Sequence, residues 1–130
     1  MNENNNNPSG EQKILFVDDN PQVQTLVVEM LETLGYQVES ALDPITALKL
    51  IDEGGNFDAV LMDVILRDSM AGPELAAEMI KSLPDLKVLF TSGYPTPAIS
   101  EGLQRFNAPL LPKPFTMAQL KEAVADLFRD

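Results

Sequence analysis

Residues 14–21 read ILFVDDNP, in which four large apolar side chains are followed by two aspartates. A continuous apolar run of this length is typical of a strand that is buried on both faces of a parallel sheet. Asn20 and Pro21 then predict the start of a helix, because Asn is a favoured N-cap and Pro fits the first helical position. A buried strand that leads into a helix is the unit from which α/β folds are built.

The same alternation of short apolar runs and amphipathic stretches continues to the end of the chain. It predicts five strands and five helices, and therefore an α/β fold in which helices cover both faces of a parallel sheet. The predicted strands cover residues 14–17, 36–40, 59–62, 88–91 and 109–111. The predicted helices begin at Pro21, at Pro44, near Pro73, before a segment with Ile99, Leu103 and Phe106, and after Thr116, which can form a capping box with Gln119.

Length and composition indicate a single domain. The chain has 130 residues, and 45% of them are hydrophobic, which is enough to build a core. Residues 1–12 are almost entirely polar, so we expect a flexible tail or linker there and one domain over residues 13–130. No apolar run approaches the roughly 20 residues of a membrane span, and the first residues lack the pattern of a signal peptide. These features predict a cytoplasmic protein.

Charge and residue types exclude several classes of function. Nine Lys and Arg residues against 20 Asp and Glu residues give a formal net charge of −11. A surface this negative repels phosphate backbones and anionic lipids, so direct binding to nucleic acid or to a membrane is not expected. The chain has no Cys and no His. A metal ligand, general base or nucleophile must therefore come from other side chains, and the chain cannot itself carry a phosphohistidine.

Four of the five predicted strands end at polar side chains, namely Asp18 with Asp19, Asp63, Ser92 and Lys113. Because ligands of open α/β sheets bind at the carboxyl ends of the strands, we expect these side chains to converge on one site. Each has a plainer explanation when it is taken alone. The aspartate pair could cap the start of a helix, and Asp63 could be a solvated strand end. Ser92 could be a turn residue, and Lys113 could be an exposed surface lysine. Their combination favours a functional site.

The chemistry of these groups suits phosphoryl transfer. Three carboxylates at one edge would repel one another unless a cation neutralised them. Mg²⁺ suits such a site, because it prefers oxygen ligands and requires neither His nor Cys. Lys113 would add a positive charge opposite the metal, and Ser92 a hydroxyl donor. Together with a carboxylate nucleophile, these are the groups needed to take up a phosphoryl group, so the sequence predicts an aspartyl phosphate.

Four runs in this order, ILFVDDNP, AVLMDVIL, VLFTSGY and PKPFT, resemble the response-regulator receiver domain of two-component and phosphorelay signalling. The resemblance covers Lys13 to about Phe128. The runs GPEL and SGYPTPAI are similar to receivers that are fused to hybrid sensor kinases. The resemblance implies a flavodoxin-like, doubly wound sheet of five parallel strands in the order 2-1-3-4-5.

The resemblance also implies a role for each site residue. Asp63 matches the phosphoacceptor, Ser92 the switch hydroxyl, and Lys113 the lysine that contacts the phosphoryl group. Mg²⁺ is the implied cofactor, and its implied ligands are Asp18, Asp19, Asp63 and the backbone carbonyl of Ile65. The peptide bond between Lys113 and Pro114 is predicted to be cis.

The implied function is that of a signalling module and not of an enzyme. It would accept a phosphoryl group from the phosphohistidine of a histidine kinase or a histidine phosphotransfer protein, as a monomer or a weak dimer. The output would be a change in the surface around the predicted fourth helix, the last strand and the last helix. Leu110 stands where the family often has Tyr or Phe, so we expect a displacement of backbone in place of an inward movement of an aromatic ring.

Two other functions remain open from the residues. A small aspartate-nucleophile phosphohydrolase would also use a strand-end Asp with Mg²⁺, but it needs an Asp two residues after the nucleophile, and here that residue is Ile65. The second alternative function is a phosphorylation-independent scaffold with a vestigial site. Every acidic and basic position of the site is filled by the expected type of residue, which argues against this alternative. The sequence is compatible with a free-standing regulator and with a fragment of a hybrid sensor kinase.

Overall fold

A computed structural model describes residues 12–65, 72–93 and 108–129. These residues form five strands and four helices, and none of these helices is long and apolar enough to cross a membrane. In chain order the elements are β1 (Lys13–Val17), α1 (Pro21–Thr33), β2 (Gln37–Ala41), α2 (Pro44–Asp52), β3 (Ala59–Asp63), α3 (Gly72–Ser82), β4 (Lys87–Ser92), β5 (Leu110–Pro112) and α4 (Met117–Leu127). The helix predicted to carry Ile99, Leu103 and Phe106 falls in residues 94–107, outside the described residues, as do residues 1–11.

All five strands are parallel and lie in the order β2-β1-β3-β4-β5. This arrangement confirms the predicted α/β class and the strand order that the family resemblance implies. The strand order reverses beside β1, which lies between β2 and β3. Val17 is in register with Met62, and Asp63 with Thr91, so the carboxyl ends of β1, β3 and β4 meet at one edge of the sheet.

The core consists of two apolar layers, one on each face of the sheet. Leu15 and Val17 of β1 pack in the layer that α2 and α3 cover, whereas Ile14 and Phe16 pack in the layer that α1 and α4 cover. All four side chains are at most 2% exposed, as predicted for a strand that is buried on both faces. Packing on both sides holds β1 in the centre of the fold and so positions the residues that follow it.

Helices α1, α2 and α4 begin at side-chain caps. Asn20 caps α1 and Asp43 caps α2, and each accepts backbone N–H groups of the first helical turn. Thr116 Oγ1 accepts the N–H of Gln119 at 3.1 Å, and Gln119 Oε1 accepts the N–H of Thr116 at 2.8 Å, which confirms the predicted capping box. These caps determine where the loops above the carboxyl edge of the sheet end.

Each of the five strands differs from its predicted bounds by one residue at one or both ends, and hydrogen bonds explain two of these differences. The predicted second strand includes Tyr36, but the Tyr36 N–H donates to the Leu31 carbonyl at 3.1 Å and closes the end of α1 after Gly35. Gly35 has a φ of 103°, a conformation that favours glycine at the end of a helix. The last strand ends one residue later than predicted, because the Lys113 N–H donates to the Ser92 carbonyl at 2.8 Å and extends the pairing with β4.

Two residues of the apolar helix pattern are exposed. Leu26 of α1 is 58% exposed and Ile45 of α2 is 79% exposed. The buried residues of α2 are Pro44, Ala47 and Ile51. Because successive helical residues are about 100° apart, Ile45 is turned away from that buried face, and Leu26 is turned in the same way from the buried Val27. Apolar spacing alone does not separate these two positions from the core.

Candidate functional site

Three charged side chains from different parts of the chain meet at the carboxyl edge of the sheet. Asp18 directly follows β1, Asp63 is the last residue of β3, and Lys113 directly follows β5. Because β1 and β3 are neighbours, the two carboxylates lie side by side, whereas β4 separates β3 from β5. The side chain of Lys113 therefore crosses the end of β4 to reach both carboxylates.

The ammonium group of Lys113 joins the two carboxylates. Lys113 Nζ lies 2.7 Å from Asp63 Oδ2 and 3.2 Å from Asp18 Oδ2. The side chain of Asp18 is 2% exposed and that of Asp63 is 18% exposed, so both carboxylates have lost most of their hydration. Pairing with the ammonium group offsets this loss, since a buried charge without a partner is strongly destabilising.

The other carboxylate oxygens accept backbone N–H groups. Asp18 Oδ1 accepts the N–H of Asn20 at 2.9 Å, and Asp63 Oδ1 accepts the N–H of Ile65 at 3.0 Å. Each bond joins an aspartate to the residue two positions later, which is a common arrangement at the start of a turn. Each carboxylate is thus oriented by the backbone on one side and by Lys113 on the other.

These contacts hold the side chain of Lys113 in its charged form. Burial by itself lowers the pKa of Lys113, but the hydrogen bond and the charge of Asp63, followed by those of Asp18, outweigh burial and raise the pKa above the ordinary lysine value. The ammonium group is therefore protonated throughout the neutral range. A fixed positive charge lies beside Asp63 Oδ2.

Ser92 ends β4, between the strands that hold Asp63 and Lys113, and it is 1% exposed. Its backbone carbonyl accepts the N–H of Lys113 at 2.8 Å. The peptide bond between Lys113 and Pro114 is cis, as predicted. The hydroxyl-bearing residue and the lysine are thus linked through the main chain at the same edge as Asp63.

Asp19 is partly exposed and Ile65 is 61% exposed, so both lie at the rim of this edge. In the part of the chain that the structure describes, no three acidic side chains lie close enough together to form a metal-binding cluster by themselves. The structure therefore differs from the expected cluster of three carboxylates. A pair, Asp18 and Asp63, shares the ammonium group of Lys113, which supplies positive charge between the two carboxylates.

The pair still offers the donor chemistry that Mg²⁺ needs. The Oδ2 atoms of Asp18 and Asp63 both contact one cationic group, so a single positive centre can be shared between them. Carboxylate oxygens are ligands that Mg²⁺ prefers, and waters or phosphate oxygens commonly complete its coordination. The residues present therefore fit this ion in charge and in donor type.

The start of α3 packs tightly against the residues that follow β3. The Gly72 N–H donates to the Val64 carbonyl at 2.8 Å. A Cβ atom added at Gly72 would lie 2.5 Å from the carbonyl oxygen of Asp63, which is closer than side chains tolerate. The absence of a side chain at Gly72 therefore lets α3 begin directly against the backbone of Asp63.

An apolar groove that was not predicted from the sequence borders the site. It lies between α1 and the loop after β5 and has a volume of about 430 Å³. Its lining residues are Val23, Leu26, Val27, Met30, Gly93, Lys113, Pro114 and Phe115. Lys113 thus belongs both to the groove and to the ion pair with Asp63. The apolar spacing of α1 was a signal for this surface, but it equally suits a helix face that packs in a core.

Comparison with known proteins points to one family. Residues 14–125 match the family model of the response regulator receiver domain. Over 123 residues the chain is 37% identical to the sensor kinase CckA of Brucella abortus (strain 2308). This match covers 92% of the chain but 13% of that kinase, so the chain spans a small part of the length of this relative.

Solved structures agree with this similarity. A CheY-like response regulator receiver domain protein from Methanospirillum hungatei JF-1 is 30% identical, with a TM-score of 0.81 over 88% of this chain and 91% of that one. The receiver domain of the hybrid histidine kinase CckA is 31% identical, with a TM-score of 0.75 over 90% of this chain and 99% of that one. Sequence and fold therefore indicate the same group of proteins.

Proposed function

The chain belongs to the response regulator receiver domain family of two-component signalling, and on that premise we propose that Asp63 accepts a phosphoryl group from a partner's phosphohistidine. The observation that carries this proposal is the 2.7 Å ion pair between Asp63 Oδ2 and Lys113 Nζ, which sets a carboxylate nucleophile beside a fixed positive charge. The proposed receiver domain comprises residues 13–130 and is preceded by the polar segment of residues 1–12.

In the proposed reaction, a carboxylate oxygen of Asp63 attacks the phosphorus atom of the donor. An O–P bond forms, the P–N bond to the donor histidine breaks, and the leaving imidazole takes the electron pair. Lys113 then neutralises charge on the phosphoryl oxygens, and the Ser92 hydroxyl donates a hydrogen bond to one of them. Phosphoryl uptake therefore requires no His or Cys of this chain.

We include Mg²⁺ in the proposal. When bound, it would supply positive charge that offsets the negative phosphoryl oxygens. The residues that would hold it are Asp18, Asp19, Asp63 and the backbone carbonyl of Ile65. Support comes from the donor set, because Asp18 and Asp63 already share one cationic group and Asp19 adds a carboxylate at the rim.

A phosphohistidine donor must belong to another protein or domain, because this chain has no His. A histidine kinase or a histidine phosphotransfer protein is the proposed donor, and the sensor kinase CckA among the relatives supports it. We assign the docking of the donor's apolar surface to the groove beside α1, since this groove reaches the same lysine that contacts Asp63. A cytoplasmic location and a signalling role without enzymatic turnover belong to the same proposal.

The proposed output is a change in the surface around β5 and α4 and around the helix predicted to carry Ile99, Leu103 and Phe106, which lies outside the described residues. Lys113 links the phosphoacceptor to the end of β5, so a movement of its side chain acts directly on that strand. Leu110, the first residue of β5, is partly buried and carries no aromatic ring. The response is therefore proposed to be a displacement of backbone.

Incubation with Mg²⁺ and acetyl phosphate, followed by measurement of the intact mass, tests the proposed function. We expect the chain to gain one phosphoryl group that persists after the donor is removed, and we expect EDTA to prevent the gain. Repeated release of inorganic phosphate from a phosphomonoester would indicate a phosphohydrolase. An unchanged mass would indicate a phosphorylation-independent scaffold. Either of the last two results contradicts the proposal.

Leu26→Asp is expected to slow phosphoryl transfer from a phosphohistidine donor by at least about tenfold, because a charged side chain in an apolar contact must be desolvated without a partner. Labelling by acetyl phosphate is expected to stay at the wild-type rate, since a small donor does not need the groove. Both rates are measured by intact mass, with a phosphorylated sensor-kinase domain that labels the wild type as the protein donor.

Ile45→Asp is the matched control for this prediction. Ile45 is 79% exposed, lies in α2 and is not part of the groove, so both donors should label this variant at the wild-type rate. Equal rates of transfer from the kinase domain to Leu26→Asp and to Ile45→Asp would contradict the assignment of the groove.

A further inference from the structure

Thr91 of β4 carries a buried hydroxyl group that has no hydrogen-bond partner. The residue is 1% exposed, and among the described residues its Oγ1 and Gln12 Oε1 are the buried side-chain polar atoms without a partner. Buried polar groups are nearly always satisfied, because an unsatisfied one is destabilising. A valine would have the same shape without this cost. A threonine at this position therefore points to a second arrangement of the site in which the hydroxyl is used.

The hydroxyl lies on the same face of the sheet as the Asp63–Lys113 ion pair. Thr91 is in register with Asp63 of β3 and with Leu111 of β5. Register partners in a parallel sheet direct their side chains to the same face, and Lys113, two residues after Leu111, follows the same alternation. Thr91 thus lies between the strand that holds the carboxylate and the strand that holds the ammonium group.

The surroundings of Thr91 include the groups that change during phosphoryl transfer. Its backbone carbonyl accepts the N–H of Val64 at 2.9 Å, which ties β4 to the residue directly after Asp63. The ammonium group of Lys113 has three N–H donors, of which two contact Asp63 and Asp18. A shift of Lys113 or of the residues after Asp63 therefore takes place next to the unpaired hydroxyl.

We propose that Thr91 is a positioning residue that favours the phosphorylated arrangement of the site, an inference that rests on the proposed function. Once Asp63 carries a phosphoryl group, the ammonium group of Lys113 contacts phosphoryl oxygens in place of Asp63 Oδ2. The Thr91 hydroxyl then gains a hydrogen bond with this rearranged pair. Because the hydroxyl is unsatisfied before phosphorylation and satisfied afterwards, it shifts the equilibrium toward the phosphorylated state.

Two variants of Thr91 separate the hydroxyl from the shape of the side chain. Thr91→Val keeps the shape and removes the hydroxyl, whereas Thr91→Ser keeps the hydroxyl. The melting temperature of each protein is measured alone and with Mg²⁺ and beryllofluoride, a mimic of the phosphoryl group. We expect Thr91→Val to melt roughly 2 to 8 °C above the wild type when free, and to gain less than the wild type when beryllofluoride is added. Thr91→Ser should retain the wild-type gain.

The outcomes distinguish this inference from the proposed function. A wild-type gain in Thr91→Val would overturn the inference alone, because the hydroxyl would then not discriminate between the two states. A free Thr91→Val protein that melts at or below the wild-type temperature would also overturn it, since the hydroxyl would then be satisfied before phosphorylation. A wild type that does not respond to beryllofluoride with Mg²⁺ would overturn both.

Discussion

Asp63→Asn is expected to abolish phosphoryl uptake while the domain stays folded. The amide matches the carboxylate in size, but it is a far weaker nucleophile, so the O–P bond does not form. An amide oxygen can still accept the N–H of Ile65, and Lys113 keeps its ion pair with Asp18, so the backbone of the site is retained. The measurement is the intact mass after incubation with Mg²⁺ and an excess of acetyl phosphate.

Asp52→Asn is the matched control, because Asp52 is exposed and lies at the end of α2, away from the carboxyl edge. This variant should take up a phosphoryl group as the wild type does. Circular dichroism of both variants establishes that a loss of uptake reflects chemistry and not unfolding. Uptake by Asp63→Asn at the wild-type level would show that another residue is the phosphoacceptor.

Ile65→Asn combined with Tyr94→Glu is expected to shorten the lifetime of the phosphorylated protein by at least about tenfold. An aspartyl phosphate is lost when water attacks the phosphorus in line, and a polar side chain that orients the water speeds this attack. Ile65 is apolar, and its N–H donates to Asp63 Oδ1, so the backbone of this residue lies beside the acceptor. Tyr94, two residues after Ser92 and outside the described residues, carries a phenol, which is a poor base at neutral pH.

Decay is followed by intact mass after the donor is removed, with Mg²⁺ retained. Ile45→Asn makes the same exchange at another exposed apolar position and should decay at the wild-type rate. A double variant that decays no faster than the wild type would show that these two side chains do not gate the water. Slow decay in the wild type would suit a relay that passes its phosphoryl group on or waits for a phosphatase.

The secondary structure elements could be predicted because each depends on residues that are close in sequence. The run at 14–17 predicts a strand buried on both faces, and all four of its side chains are buried. The caps at Asn20 and Thr116 involve bonds to residues two or three positions away, which a sequence pattern displays directly. The strand order came from the family resemblance, since periodicity does not specify which strands are neighbours.

The charge arrangement of the site could not be predicted in the same way, because it depends on residues that are far apart in sequence. The convergence of Lys113 with Asp18 and Asp63 was expected, but no local pattern shows that its ammonium group contacts both carboxylates across the end of β4. Two further features, at Leu26 and Thr91, could not be predicted for the same reason. The exposure of Leu26 depends on where the loop after β5 lies, and the unpaired hydroxyl of Thr91 depends on the strands on either side.

During synthesis, Lys113 leaves the ribosome after Asp18 and Asp63. These two residues precede it by 95 and 50 positions, so a nascent chain exposes the acidic pair before the ammonium group that neutralises it exists. The strand that positions this lysine, β5, is also the last to be made. Under the proposed function, a nascent chain would therefore lack the lysine that contacts the phosphoryl group until translation of the domain is almost complete.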